Sequence, residues 1–164
     1  MRLLGPLAWI ACLGCAAGRF EGDVYRGPQV AFRIGALGPE WRRIDLAGGD
    51  VVLRHRSGGT VVANGSCQGL GDLPLQVLAN QALFGVNDIR EHGRETLTLD
   101  GRAALRLRLT GTVDGVPIDL DLVVLKKDGC VYDLQLAAPP AAFAERDQDF
   151  DRLVAGFHAL AVPR

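Results

Sequence analysis

Three Asp-Gly pairs, at Asp100-Gly101, Asp114-Gly115 and Asp128-Gly129, divide the second half of the chain into four extended runs: DIREHGRETLTL, RAALRLRLTGTV, VPIDLDLVVLKK and CVYDLQLAA. Asp-Gly between alternating apolar residues signals a β-hairpin, because both residues of the tight turn take positive φ. Three such turns in succession dictate an antiparallel meander. A two-residue turn at Asp114-Gly115 pairs Val113 with Val116 and sets Leu105, Leu107 and Leu109 opposite Val124, Leu122 and Leu120 on one face. Arg108 then meets Asp121 on the other face, where Arg106, Arg108, Asp119 and Asp121 read as solvated charge, not a site. At Asp128-Gly129 a two-residue turn would put Leu122 opposite Gln135. A three-residue loop from Lys127 to Gly129 pairs Leu122 with Leu134 and Val124 with Tyr132 instead, and since a one-residue slip flips every side chain, apolar matching favours the longer loop.

Upstream the runs are shorter. VAFRI alternates, ALGPEWRRIDL carries a Gly-Pro break before its extended stretch, and Gly and Asp turn signals bound DVVLRH and TVVANGSC. A helix is expected over 73–86, where Leu75, Leu78, Ala79, Ala82, Leu83 and Val86 recur at helical spacing. Asp72 stands at its N-cap, Pro74 in its first turn and Gly85 at its stop. A second amphipathic helix begins near Pro140, with Phe143, Phe150, Leu153, Val154, Phe157 and Leu160 on one side and Glu145, Arg146, Asp149 and Arg152 on the other. Together these elements make an α+β fold: an antiparallel sheet of about six or seven strands with one internal and one C-terminal helix packed on it. The 164 residues suit one such domain, at 28–164, large enough to bury a core without depending on disulfides.

The first 27 residues follow other rules. Arg2 and the amino group make a positive start, Leu3 to Leu13 is an apolar run, and the small residues Gly14, Ala16, Ala17 and Gly18 follow: the order of an export signal. The run falls far short of the roughly 20 apolar residues that span a bilayer. Within it, Cys12 and Cys15 have the C-x-x-C spacing of redox and zinc sites, yet no strand, helix or second ligand pair flanks them. Leu13-Gly14-Cys15 resembles the bacterial lipobox, whose cysteine becomes the acylated first residue, although Cys12 stands where that motif usually has Leu. Residues 1–14 are therefore expected to be the signal, Cys15 the lipid-bearing residue, and 15–27 a tether to the membrane. Acylation at Cys12 and plain secretion with a cut near Ala17 are the alternatives.

Composition and motifs exclude much chemistry. A net charge of −1 with no basic stripe gives no electrostatic footprint for nucleic acid. Ser57 and Ser66 lie in no G-x-S-x-G elbow, and His55, His92 and His158 have no metal-ligand spacing. Phosphate loops and dinucleotide fingerprints are absent. No catalytic, metal or cofactor residue is assigned.

The order of parts resembles a known family. A short leading strand with a Pro-x-Trp step (GPEW), a Gly-turned hairpin, a helix, three long strands with D-G turns, and a last strand running into DFDRLVAGF are similar to the PsbP-like fold, over roughly Pro28 to Leu160. That group includes extrinsic photosystem II proteins and bacterial envelope lipoproteins. The resemblance implies an α-β-α sandwich acting as a non-catalytic accessory or binding module in the cell envelope, and it carries over no functional residue by position.

In an oxidising envelope the two cysteines left after processing, Cys67 and Cys130, are expected to form a disulfide; two small buried apolar residues are the alternative. The chain thus reads as a lipid-anchored envelope protein that docks a protein partner. The competing reading is a carrier of a small apolar ligand held between helix 73–86 and the sheet. Intact-mass measurement on protein from the membrane fraction should show diacyl or triacyl mass on a chain beginning at Cys15; an unmodified soluble chain overturns the acylation.

Overall fold

The structure is a computed structural model that describes residues 18–46, 49–69 and 72–162. Cys12, Cys15 and the expected signal lie outside the described residues. A seven-stranded antiparallel sheet runs in the order β4 (Trp41–Arg43), β5 (Val51–His55), β6 (Thr60–Ser66), β10 (Cys130–Ala138), β9 (Val116–Lys127), β8 (Arg102–Val113) and β7 (Asn87–Leu99). A second sheet of four short strands holds β1 (Arg19–Glu21), β2 (Val24–Arg26), β3 (Ala31–Arg33) and β11 (His158–Leu160) in that order. Helix α1 (Leu75–Ala82) covers one face of the large sheet, over Leu107, Leu109, Leu120, Leu122 and Val124. Helix α2 (Pro140–Ala155) and the small sheet share the other face, where Phe150 and Leu153 join Phe32, Leu134 and Leu136 in the main core. The fold is α+β, as the sequence indicates.

The Asp-Gly turns set this layering. Asp100, Asp114 and Asp128 take φ of 49°, 50° and 52°, and Gly101, Gly115 and Gly129 follow at 74°, 76° and 77°, the two consecutive positive values of a type I′ hairpin. The β8–β9 register is the expected one, with Leu107 opposite Leu122 and Arg108 opposite Asp121. The β9–β10 register is not. Lys127 pairs with Cys130 across a two-residue turn, which places Leu122 opposite Gln135 and Val123 opposite Leu134. Apolar matching selects the longer loop only if one face of β9 is buried and the other solvated. In fact Leu120 to Leu125 are buried on both faces, under α1 and under α2, so either register buries apolar side chains and the turn chemistry decides.

Three further boundaries differ. Residues 19–26, expected to be tether, form the β1–β2 hairpin: Phe20 and Tyr25 pair and turn inward, and Gly22 at φ 61° makes the bend. Three-residue strands carry too little alternation to stand out in a polar stretch. Helix α1 is shorter than 73–86, with Pro74 at its N-cap and no side-chain cap from Asp72; the remaining stripe residues Leu83 and Val86 lie in the turn that follows. Finally, α2 stops at Ala155 and His158–Leu160 is strand β11, not helix. Gly156 lies against Gly35, where a Cβ would come 2.4 Å from the Gly35 Cα, and this close approach turns the chain into the small sheet.

Cys67 and Cys130 are bonded, with an S–S distance of 2.07 Å. The β6–β10 ladder pairs Ser66 with Val131, so the next pair along it is Cys67 opposite Cys130, and the disulfide continues the register. It closes a span of 63 residues, for which loop-closure entropy gives about 4 kcal/mol as an upper figure. Denaturant titration of the oxidised and reduced protein should show the reduced form less stable by up to that amount. Equal midpoints would mean that the bond contributes nothing to stability.

Candidate functional site

Three places in the fold concentrate chemistry outside the two cores. The first lies under α2. Because Arg106, Arg108 and Asp121 alternate onto the face that α2 covers, they are not the solvated face that their exposed-strand reading suggests. Asp121 is wholly buried and accepts from both guanidinium groups, Arg106 Nη2 at 2.6 Å and Arg108 Nε at 3.0 Å. From α2, Asp151 accepts from Arg106 at 2.6 Å and Asp147 from Arg108 at 3.3 Å. Asp119 is half-buried, opposite Thr110. Arg146, expected on the outer side of α2, is also buried, with Nε donating to the Gly58 carbonyl at 3.3 Å.

The balance of this cluster is uneven. Asp147 Oδ1 is buried with no hydrogen-bond partner among the described residues. Burial, helped by a hydrogen bond to the Asp121 carboxyl, pushes the Asp147 pKa up to about 6, against the pull of Arg108. Ionised carboxylates this close repel, and a proton on Asp147 supplies the donor that the pair lacks. The notch outside it, about 180 Å³, is lined by Gly93, Arg94, Glu95, Arg106 and Arg108. Arg94 already forks onto Glu91 at 2.8 and 2.6 Å, so the notch offers no uncommitted pair of cations.

The second place is the gap between α1 and the sheet, where an apolar ligand would sit. It is an open cleft of about 220 Å³ lined by Leu78, Gln81, Ala82, Val124, Val131 and Asp133. Ligand pockets usually run from about 300 to 1,000 Å³ and enclose most of the ligand. Burial raises the Asp133 pKa, and its Oδ2 is held by the Asn64 and Gln135 amides at 3.0 and 3.1 Å. The carboxyl is thus engaged within the sheet.

The third place is the end of the sheet where α1 runs into β7 and the β8–β9 hairpin turns. Phe84 is 94% exposed, and Ile89, Val113 and Val116 are exposed as well. Gly111 receives the chain that follows Phe84: a Cβ there would lie 2.7 Å from Val86 Cγ1 and 3.9 Å from the Ile89 Cα, while Val113 and Val116 pair two residues further along β8. Phe84 follows Leu83 at the end of α1, and Gly85 at φ 91° turns the chain away from it. Single exposed apolar residues are ordinary, and it is their concentration near one end of the sheet that sets these apart. The sequence held one signal for it, an aromatic that interrupts the apolar stripe immediately before a glycine.

The three histidines are kept apart by separate partners. His55 is buried against Trp41, His92 bonds Thr110 at 2.9 Å, and His158 bonds Asp100 at 3.0 Å. Among the described residues no three His, Cys, Asp or Glu side chains are grouped to hold a metal ion.

No family model matches the chain, and no curated protein matches it. Solved structures do. The chain is similar to cyanobacterial PsbP (CyanoP) from Synechocystis sp. PCC 6803, with a TM-score of 0.59 and 18% identity over 95% of this chain and 100% of that one. It is also similar to LpqN of Mycobacterium tuberculosis, a protein involved in cell envelope biogenesis, with a TM-score of 0.57 and 16% identity over 82% and 87% of the two chains. A third likeness is to PA94 of Pseudomonas aeruginosa, a protein of unknown function described as a putative regulator, with a TM-score of 0.54 and 17% identity over 86% and 96%. The fold is PsbP-like.

A carboxyl with a raised pKa binds its proton more tightly in the folded state. The stabilisation is complete below the ordinary value of 3.8 and is lost as pH rises towards about 6. Asp147→Asn should therefore raise the melting temperature at pH 7.5 relative to wild type and leave a smaller difference between the two proteins at pH 4. A variant equally or less stable at pH 7.5 would contradict the raised pKa.

Proposed function

We propose that this protein is a non-catalytic, lipid-anchored accessory protein of the bacterial cell envelope that docks a protein partner through the apolar end around Phe84. The observation that carries this reading is the 94% exposure of Phe84, two residues before Val86, whose side chain meets Gly111 near the exposed β8–β9 turn. The charged cluster under α2 is closed on itself, and the cleft beside α1 is small and open, so neither competes as a binding site. The fold is shared with an envelope-biogenesis protein, and the disulfide suits an oxidising compartment. Acylation at Cys15 would hold the domain at a membrane, on its periplasmic or surface side.

The test is photo-cross-linking in the native membrane, with the photoreactive residue at position 84 and, as a control, at the exposed Glu145 on α2. A discrete protein adduct from position 84 and none from 145 is expected. Phe84→Ser should change stability by less than about 0.5 kcal/mol, as an exposed position, and should abolish co-purification of the same partner. Identical adducts from both positions would remove the docking surface.

A further inference from the structure

We propose that the outer face of the small sheet, centred on Arg19 and Arg26, rests on the anionic phospholipid surface of the membrane. The proposal builds on acylation at Cys15. Four residue steps separate Cys15 from Arg19, and a fully extended chain spans at most about 14 Å in that distance. The headgroup layer is itself roughly 5 to 7 Å deep on each side of a bilayer. With residues 19–26 folded as a hairpin rather than paid out as tether, the domain cannot stand away from the surface, and the β1–β2 face is the part of it bound to arrive there.

The chemistry of that face fits an anionic surface. The ladder sets Arg19 directly opposite Arg26, and like charges so placed repel unless an anion sits between or above them. Arg19 has Glu21 as its acidic partner, and among the described residues Arg26 has none. Arg33, on the next strand, points to the same side and reaches Asp23 at 3.4 Å. The inward row of the sheet is Phe20, Tyr25, Phe32 and Ala159, so the arginines cannot turn into the core. A phosphate bridging two guanidinium groups on neighbouring strands relieves the repulsion and uses the geometry that arginine binds best. The small sheet and the Phe84 end lie on opposite faces of the large sheet. Seating the arginines on lipid therefore leaves the apolar end facing away from the membrane.

The probe is phenylglyoxal modification of arginines, read by mass spectrometry, on the full protein purified from its membrane. The protein is reconstituted into vesicles of phosphatidylcholine alone or with 30% phosphatidylglycerol. Arg19 and Arg26 should react about fivefold more slowly in the anionic vesicles, and 0.5 M salt, where the screening length falls to about 4 Å, should remove the difference. Arg54 and Arg90 are exposed away from this face and should react alike in both. Arg26→Glu should restore fast reaction at Arg19. Equal rates at Arg19 and Arg26 in the two vesicle types overturn the proposal, and protection confined to native membranes assigns the face to a protein instead. Intact mass taken beforehand separates the two claims. An acylated chain without protection refutes the face alone, whereas an unacylated chain that is still protected on anionic vesicles refutes the anchor alone.

Discussion

Everything in this molecule hangs on the register of three consecutive hairpins held by Asp-Gly turns. Because side chains alternate across a strand, one register decides at once which residues meet α1 and which meet α2. Leu107, Leu109, Leu120 and Leu122 go to one side, and Arg106, Arg108 and Asp121 go to the other. The same ladder, carried into β6, brings Cys67 opposite Cys130. A slip of one residue would bury the arginines under α1, uncouple the acids of α2 and part the two cysteines. The positive φ values at Asp100, Asp114 and Asp128 are the local cost of that certainty, and the turn residues are those that bear it most easily.

The buried Arg–Asp cluster reinforces this register more than it adds stability. For the buried Arg106–Asp121 pair, removing two charges from water offsets most of their attraction, while losing one of the two leaves a buried charge uncompensated, typically costing about 3–5 kcal/mol. Asp121 reads two arginines one pleat apart on β8, and Asp147 and Asp151 of α2 complete the match. In the observed placement of α2, Asp151 reaches Arg106 and Asp147 reaches Arg108 while Asp121 holds both. Trp41 does the same at the far edge, donating from Nε1 to Asp149 at 2.8 Å. The helix is thus located by polar contacts at several points and held down by Phe150 and Leu153 between them.

How much of this could be read from the sequence follows from the length of each signal. Twelve-residue strands bounded by Asp-Gly declare themselves, and so does the stripe from Leu75 to Val86. Strands of three residues do not, which is why β1 and β2 were hidden in an apparent tether and β11 in an apparent helix. Two-sided burial of β9 defeated a register argument based on matching apolar faces, since both choices buried Leu and Val. The charge cluster was invisible for a related reason: Arg106 and Asp121 look solvated until a helix is known to lie over them. The arginine face of the small sheet is likewise absent from the linear sequence, because Arg19, Arg26 and Arg33 become neighbours only through pairing.

The cross-strand disulfide also divides the chain mechanically. A pull delivered through the N-terminus meets β1 first, three residues held to β2 alone, and can peel the early strands one after another. At Cys67 the load passes through sulfur to Cys130, 63 positions further along the chain, so the loop between them, about 220 Å when extended, never enters the strained path. Under such a pull the three strands β7 to β9, and the apolar end they carry, stay outside the line of force.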